Sequence, residues 1–181
     1  MASDSFAIPA QSTSANVLFV CTGNICRSPT AECVFRALVK RARLQARIAI
    51  DSAATHDYQV GEPPDPRAVT AARRRGYPLG RRLARQVQVS DFRRFDWILA
   101  MDQHNLDDLQ VLQPHAYAGR LALFLDFAPQ LEIREVPDPY CGTPEDFEHV
   151  LDLAESGAAA LLDAVRTRLM PRAKMRQTPL F

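Results

Sequence analysis

The stretch that decides the fold is Val17-Leu18-Phe19-Val20-Cys21-Thr22-Gly23-Asn24-Ile25-Cys26-Arg27-Ser28-Pro29. Val17–Val20 is a short continuous apolar run, the mark of a strand covered on both faces. A turn containing Gly follows, and then a helical period. Ala31, Val34, Phe35, Leu38, Val39 and Ala42 recur at three- and four-residue steps and share one face. Strand, turn and helix in immediate succession make the first half of a βαβ unit. The loop between them stands at the carboxyl end of a strand, where such folds place their sites.

The same alternation continues outward. Ile48–Ser52 reads as a second strand. Asp65–Arg75 reads as a helix, with Pro66 in its first turn and Gly76 as its stop. Trp97–Met101 and Leu121–Leu125 read as further strands, with a helix from about Asp102 between them. Thr143-Pro144-Glu145-Asp146 is a helix start, with a cap, a proline and two acids. The stripe from Phe147 to Leu169 then runs for about six turns. The expected architecture is α/β: one domain with a parallel four-stranded sheet, helices on both faces and the key loop after strand 1.

The chain has 181 residues. We expect a domain over 17–170, a flexible extension over 1–16 and a basic tail over 171–181 that carries Arg172, Lys174 and Arg176. A formal net charge of +1 gives no reason to expect nucleic acid as a partner. No run approaches 18 apolar residues, so no membrane span is expected. Residues 1–15 have neither the basic nor the apolar region of a signal peptide. Four cysteines without an export signal are expected as reduced thiols in the cytoplasm. The four histidines have no metal-ligand spacing among themselves or with the cysteines, and no metal or cofactor is expected.

Each residue of the loop has a chemical use. Cys21 leaves the strand just ahead of a helix N-terminus, where free N–H groups and the dipole favour a thiolate. Gly23 and Asn24 tolerate positive φ. A loop of Thr22, Gly23, Asn24, Ile25 and Cys26 that turns its N–H groups inward is a nest sized for phosphate. Arg27 offers a planar fork for two phosphate oxygens. Ser28 can cap the helix or donate to the thiolate, and Pro29 suits the first helical position.

The string VLFVCTGNICRSPTAE resembles the low-molecular-weight protein tyrosine phosphatases, whose phosphate loop is C-x5-R-S near the N-terminus. The resemblance extends through DSAAT at 51–55, GEPPDPRA at 61–68, ARQ at 84–86, FDWILAMD at 95–102 and DPY at 138–140. It implies Cys21 as nucleophile, Arg27 as phosphate clamp and Asp138 as general acid and base. It also implies Ile25, Tyr58 and Tyr140 as pocket walls, with phosphotyrosine proteins or peptides as partners and a monomer as the favoured state. By the same resemblance, Cys26 captures an oxidised Cys21 in a reversible disulfide, and Asn24, Ser28 and Ser52 brace the loop. The family's fourth bracing residue, a His before a Gly, is replaced by Arg75, and Cys141 stands where a second aromatic follows the DPY. Relatives resembling protein arginine phosphatases carry Thr where this chain has Ile25, and Phe where it has Tyr140. Thioredoxin-coupled arsenate reductases share the fold and loop but relay oxidation through two more cysteines. Only Cys33 and Cys141 could serve that relay.

Overall fold

The computed structural model describes residues 13–169. The tail over 171–181, and the extension as far as residue 12, lie outside the described residues. Four parallel strands, β1 (Ala15–Cys21), β2 (Ile48–Ala54), β3 (Trp97–Ala100) and β4 (Arg120–Leu123), form one sheet in the order β2-β1-β3-β4. Strand β1 is central and starts at Ala15, so Ala15 and Asn16, expected in the extension, belong to the sheet. Its side chains alternate between two cores. Val17 and Phe19 face one layer, Leu18 and Val20 the other, and all four are fully buried.

On the Val17 face lie α1 (Arg27–Arg41), α2 (Pro66–Arg74) and α5 (Pro144–Leu169). On the Leu18 face lie a one-turn helix, α3 (Asp91–Arg94), and α4 (Gln103–Leu112). The sequence reading did not anticipate α3. It lacks a helical stripe and is set by Asp91, whose carboxylate accepts from the Gln88 N–H at 2.9 Å and from Arg85 at 2.8 Å.

Strand β4 ends two residues before the expected Leu125, because Phe124–Phe127 coil into a 3-10 turn. That turn delivers Phe124 edge-on to Phe19, with ring centroids 5.3 Å apart. It also brings Phe124 against α5 at Gly157. A Cβ there would stand 2.7 Å from the Phe124 ring, so the helix approaches this closely only because the residue is glycine. The start and stop signals of α2 and the start signal of α5 hold. Asp65 caps α2 by accepting from the Arg67 N–H at 2.8 Å, and Gly76 closes it at φ +80. At the head of α5, Asp146 reaches back to the Thr143 N–H at 2.7 Å.

Among the described residues no helix is long and apolar enough to cross a membrane. Three of the arginines between positions 73 and 85 are matched by carboxylates. Arg75 pairs with Glu148, Asp152 and Glu155 of α5, Arg82 with Asp51 and Glu32, and Arg85 with Asp51 and Asp91.

Candidate active site

The carboxyl end of β1 turns directly into α1, and the loop between them surrounds the Cys21 sulfur. Ser28 Oγ lies 3.1 Å from Cys21 Sγ, and the Asn24 N–H donates to that sulfur at 3.2 Å. Asn24 takes the left-handed conformation at φ 56. Gly23 does not share it, contrary to expectation. Its bare Cα instead admits the Gln59 side chain, whose Cγ would lie 3.2 Å from a Cβ.

Helix α1 begins at Arg27, earlier than the sequence suggests, with Cys26 at the cap position and no side-chain cap bond. Ser28 therefore lies inside the first turn and caps nothing, and Pro29 is the third helical residue. The Ser28 hydroxyl is released to the thiol and to a brace. Asn24 Nδ2 donates to Ser28 Oγ and to Ser52 Oγ, both at 2.9 Å. Ser52 donates onward to Glu32 Oε2 at 2.6 Å. Asn24 Oδ1 accepts from the Arg85 N–H at 3.1 Å. The buried carboxylate of Glu32, which also takes Arg36 at 2.8 Å, ends this chain, while Arg75 turns to the carboxylates of α5.

Arg27 is buried at the floor. Its Nη2 donates to Asp138 Oδ2 at 2.8 Å and to Thr22 Oγ1 at 3.2 Å. Its Nη1 donates to Asp102 and to the Val136 carbonyl at 3.2 Å. Burial works against this cation. The Cys21, Asp138 and Asp102 charges more than offset that, and the guanidinium holds its proton more tightly than usual. Asp102 does two jobs at the end of β3, since its Oδ1 also accepts from the Asn105 N–H at 2.7 Å and so caps α4. The Asn105 amide completes the fence, its oxygen accepting from Thr22 Oγ1 at 3.0 Å and its nitrogen facing Asp102 at 3.1 Å.

A cleft of about 150 Å³ opens above this floor, lined by Cys21, Ile25, Arg27, Asp138, Tyr58 and Tyr140 among others. The two tyrosines stand proud of the surface, Tyr58 at 74% and Tyr140 at 49% exposure. Arg67 supports Tyr140 by donating to its carbonyl at 2.9 Å and lying 5.8 Å from its ring centre. Cys26 is buried below the loop. Burial first, and the Asp65 carboxylate second, push its thiol far up from the ordinary range. Every site residue expected from the sequence thus falls on one loop and one cleft. Asp102, Glu32, Asn105 and Gln59 complete the surroundings. Asp102 and Asn105 are legible in the sequence as a helix start, and Asp102 as a residue at a strand end near the loop, while Glu32 and Gln59 carry no signal that would single them out.

A family model for the low molecular weight phosphotyrosine protein phosphatases matches residues 16–170. The chain belongs to that family. The human low molecular weight phosphotyrosine protein phosphatase is 43% identical over 143 residues, which are 78% of this chain and 89% of the human protein. A crystal structure of a protein tyrosine phosphatase from Entamoeba histolytica, with Hepes in its active site, superposes with a TM-score of 0.82 at 36% identity. The match covers 87% of this chain and all of that one (100%). A structure described as a Drosophila arginine phosphatase is also similar, with a TM-score of 0.78 at 28% identity over 83% of this chain and 97% of that one.

Proposed function

We propose that this protein hydrolyses phosphotyrosine in proteins and peptides, and small aryl phosphates, through a phosphocysteine intermediate. One observation carries the reading: Cys21 and Arg27, from the two ends of the loop after β1, and Asp138, from a segment more than a hundred residues further on, line a single cleft walled by two tyrosines. The Cys21 thiolate attacks phosphorus in line. Arg27 and the loop N–H groups hold the equatorial oxygens as charge builds on them. Asp138 gives its proton to the departing phenol. Its carboxylate then takes a proton from the water that attacks phosphocysteine, which releases phosphate and restores the thiolate. No step is routed through a metal or cofactor.

The open slot between Tyr58 and Tyr140 suits a flat aromatic ring, and Ile25 adds an apolar contact. Ile25 and Tyr140 favour phosphotyrosine over phosphoarginine. An arsenate reductase relay is disfavoured, since the Cys33 thiol donates to the Pro78 carbonyl at 2.9 Å and burial pushes it up to about 11. We take 15–170 as the catalytic domain, since β1 begins at Ala15, acting as a monomer in the reducing cytoplasm without nucleic acid, and Cys26 as the partner of an oxidised Cys21. Competition between phosphotyrosine, phosphoarginine and phosphoserine peptides of one sequence tests the substrate. The account expects phosphotyrosine to be consumed first, and preference for phosphoarginine would replace it.

A further inference from the structure

We propose that His56, His104 and Asp108 form a site for a divalent ion of the zinc type, beside the cleft but separate from its chemistry. One ligand atom from each of the three side chains lies within 4.8 Å of the others. Sequence spacing conceals the cluster because its members come from two elements. His104 and Asp108 are one turn apart on α4 and share a face. His56 comes from the segment after β2 and stacks beside His104 with ring centres 6.1 Å apart.

Several features favour a cation over a chance gathering. Asp108 Oδ2 makes no hydrogen bond among the described residues, although its atom is shielded from solvent. It lies 3.8 Å from His56 Nδ1, too far for a hydrogen bond to satisfy it. The Thr55 hydroxyl stands 2.8 Å from His56 Nδ1. A ligating imidazole normally has such an outer partner, which fixes its ring. With Nδ1–H donated to Thr55, Nε2 keeps its lone pair for a metal. A surface hollow lined by His56 and Asp108 gives an ion access.

Two imidazoles and one carboxylate select a borderline ion such as Zn²⁺ or Co²⁺ over Mg²⁺ or Ca²⁺, which want oxygen alone. Ligands at about 2.0–2.1 Å around a tetrahedral zinc lie closer together than 4.8 Å, so the side chains must draw in. His104 is exposed and free to turn. Three protein ligands leave a fourth position for water.

The site's position gives it a consequence. The His56 N–H donates to the Thr22 carbonyl of the phosphate loop at 3.1 Å, and its ring stacks on Tyr58 at 5.0 Å. A bound ion ties this segment, and with it one wall of the cleft, to α4. The inference rests on ligand geometry and stands independently of the catalytic reading.

Cobalt titration of the full chain tests it. The native protein should bind one Co²⁺ with the intense visible absorption of a low-symmetry tetrahedral site and no thiolate-to-metal charge-transfer band. Zn²⁺ should displace it and raise the melting temperature. His104→Ala and Asp108→Asn, at solvent-accessible positions and checked for fold by circular dichroism, should each weaken binding by about tenfold or more. Equal binding by native protein and both variants would overturn the site. So would a spectrum dominated by thiolate charge transfer, which moves the ion to cysteine, or no saturable spectrum at millimolar cobalt.

Discussion

Asp138 Oδ2 lies 2.8 Å from Arg27 Nη2, so the proposed proton donor and the proposed phosphate clamp are bonded to each other. Arg27 is buried while Asp138 is about half exposed, and Asp102 holds the other end of the guanidinium. The fork is therefore aligned by two carboxylates. The Asp138 contact is the one a phosphate oxygen would replace, and replacing it frees Asp138 for the leaving group.

Asp138→Asn should accordingly separate binding from chemistry. Turnover of aryl phosphates with basic leaving groups should fall about 10²–10⁴-fold, while activated esters suffer much less. Inorganic phosphate should bind more tightly, because a competing and repelling carboxylate is gone. A steady-state series across leaving-group pKa, with phosphate inhibition constants, checks both. Uniform slowing together with weaker phosphate binding would show that Asp138 is neither donor nor competitor.

Asp65 anchors α2 beneath the loop. Its N–H donates to the Ile25 carbonyl at 2.9 Å, and its carboxylate takes the Arg67 N–H and guanidinium. The Arg67 side-chain hydrogen bond, opposed in part by burial, holds the Asp65 carboxyl below its usual range. Its folded-state proton affinity is lowered, so its contribution is complete above the unfolded pKa and disappears as pH falls through the folded one. Asp65→Ala should cost about 1 kcal/mol at neutral pH. The gap from native should close as pH drops below about 4. Urea melts at several pH values measure it, and a gap that widens in acid would contradict the sign.

Gly157→Ala should destabilise the fold even though alanine is the better helix former by about 1 kcal/mol. The new Cβ would meet Phe124 at 2.7 Å and Leu125 at 2.9 Å, both fully buried and unable to swing aside. Such overpacking costs about 1–3 kcal/mol. A melting temperature above that of the native protein would mean the interface is looser than described.

Legibility in the sequence followed locality. The first three strands, α2 and the start of α5 were readable within a residue or two because their patterns are local and their caps have side-chain signatures. Phe124 and Leu125 look like strand residues by composition, yet contacts with Phe19 and Gly157 coil them into a 3-10 turn. The site was legible in its short motifs and opaque in its supports. Glu32 is simply a charge on a helix in the sequence, and only the fold places it under Ser52. Arg75, the residue that departs from the family's bracing histidine, is drawn to three carboxylates of α5 that local sequence does not bring near it.

Redox behaviour should depend on Cys26 and on pH. Mild peroxide should convert Cys21 to a sulfenic acid; the Cys26 thiolate attacks its sulfur, an S–S bond forms as hydroxide leaves, and thiols reduce the resulting disulfide. Because burial pushes the Cys26 thiol upward, capture should be slow at neutral pH and speed up about tenfold per pH unit, following the thiolate. Bound phosphate should protect Cys21. In Cys26→Ser, thiols should restore activity poorly. Full recovery in that variant, or a linkage of Cys21 to Cys33 or Cys141 seen by peptide mass spectrometry, would remove Cys26 from this role.

The phosphocysteine is the centre of the account, and trapping it is the most direct test. Asp138→Asn mixed with an activated aryl phosphate and quenched in acid should accumulate the intermediate, since loss of the base slows its hydrolysis. Peptide mass spectrometry should find one phosphoryl group on the sulfur of Cys21. Cys21→Ser should show no such adduct and no turnover, while still binding vanadate among the loop N–H groups and Arg27. A phosphoryl group on any other residue, or turnover by Cys21→Ser above about one per cent of native, would contradict it.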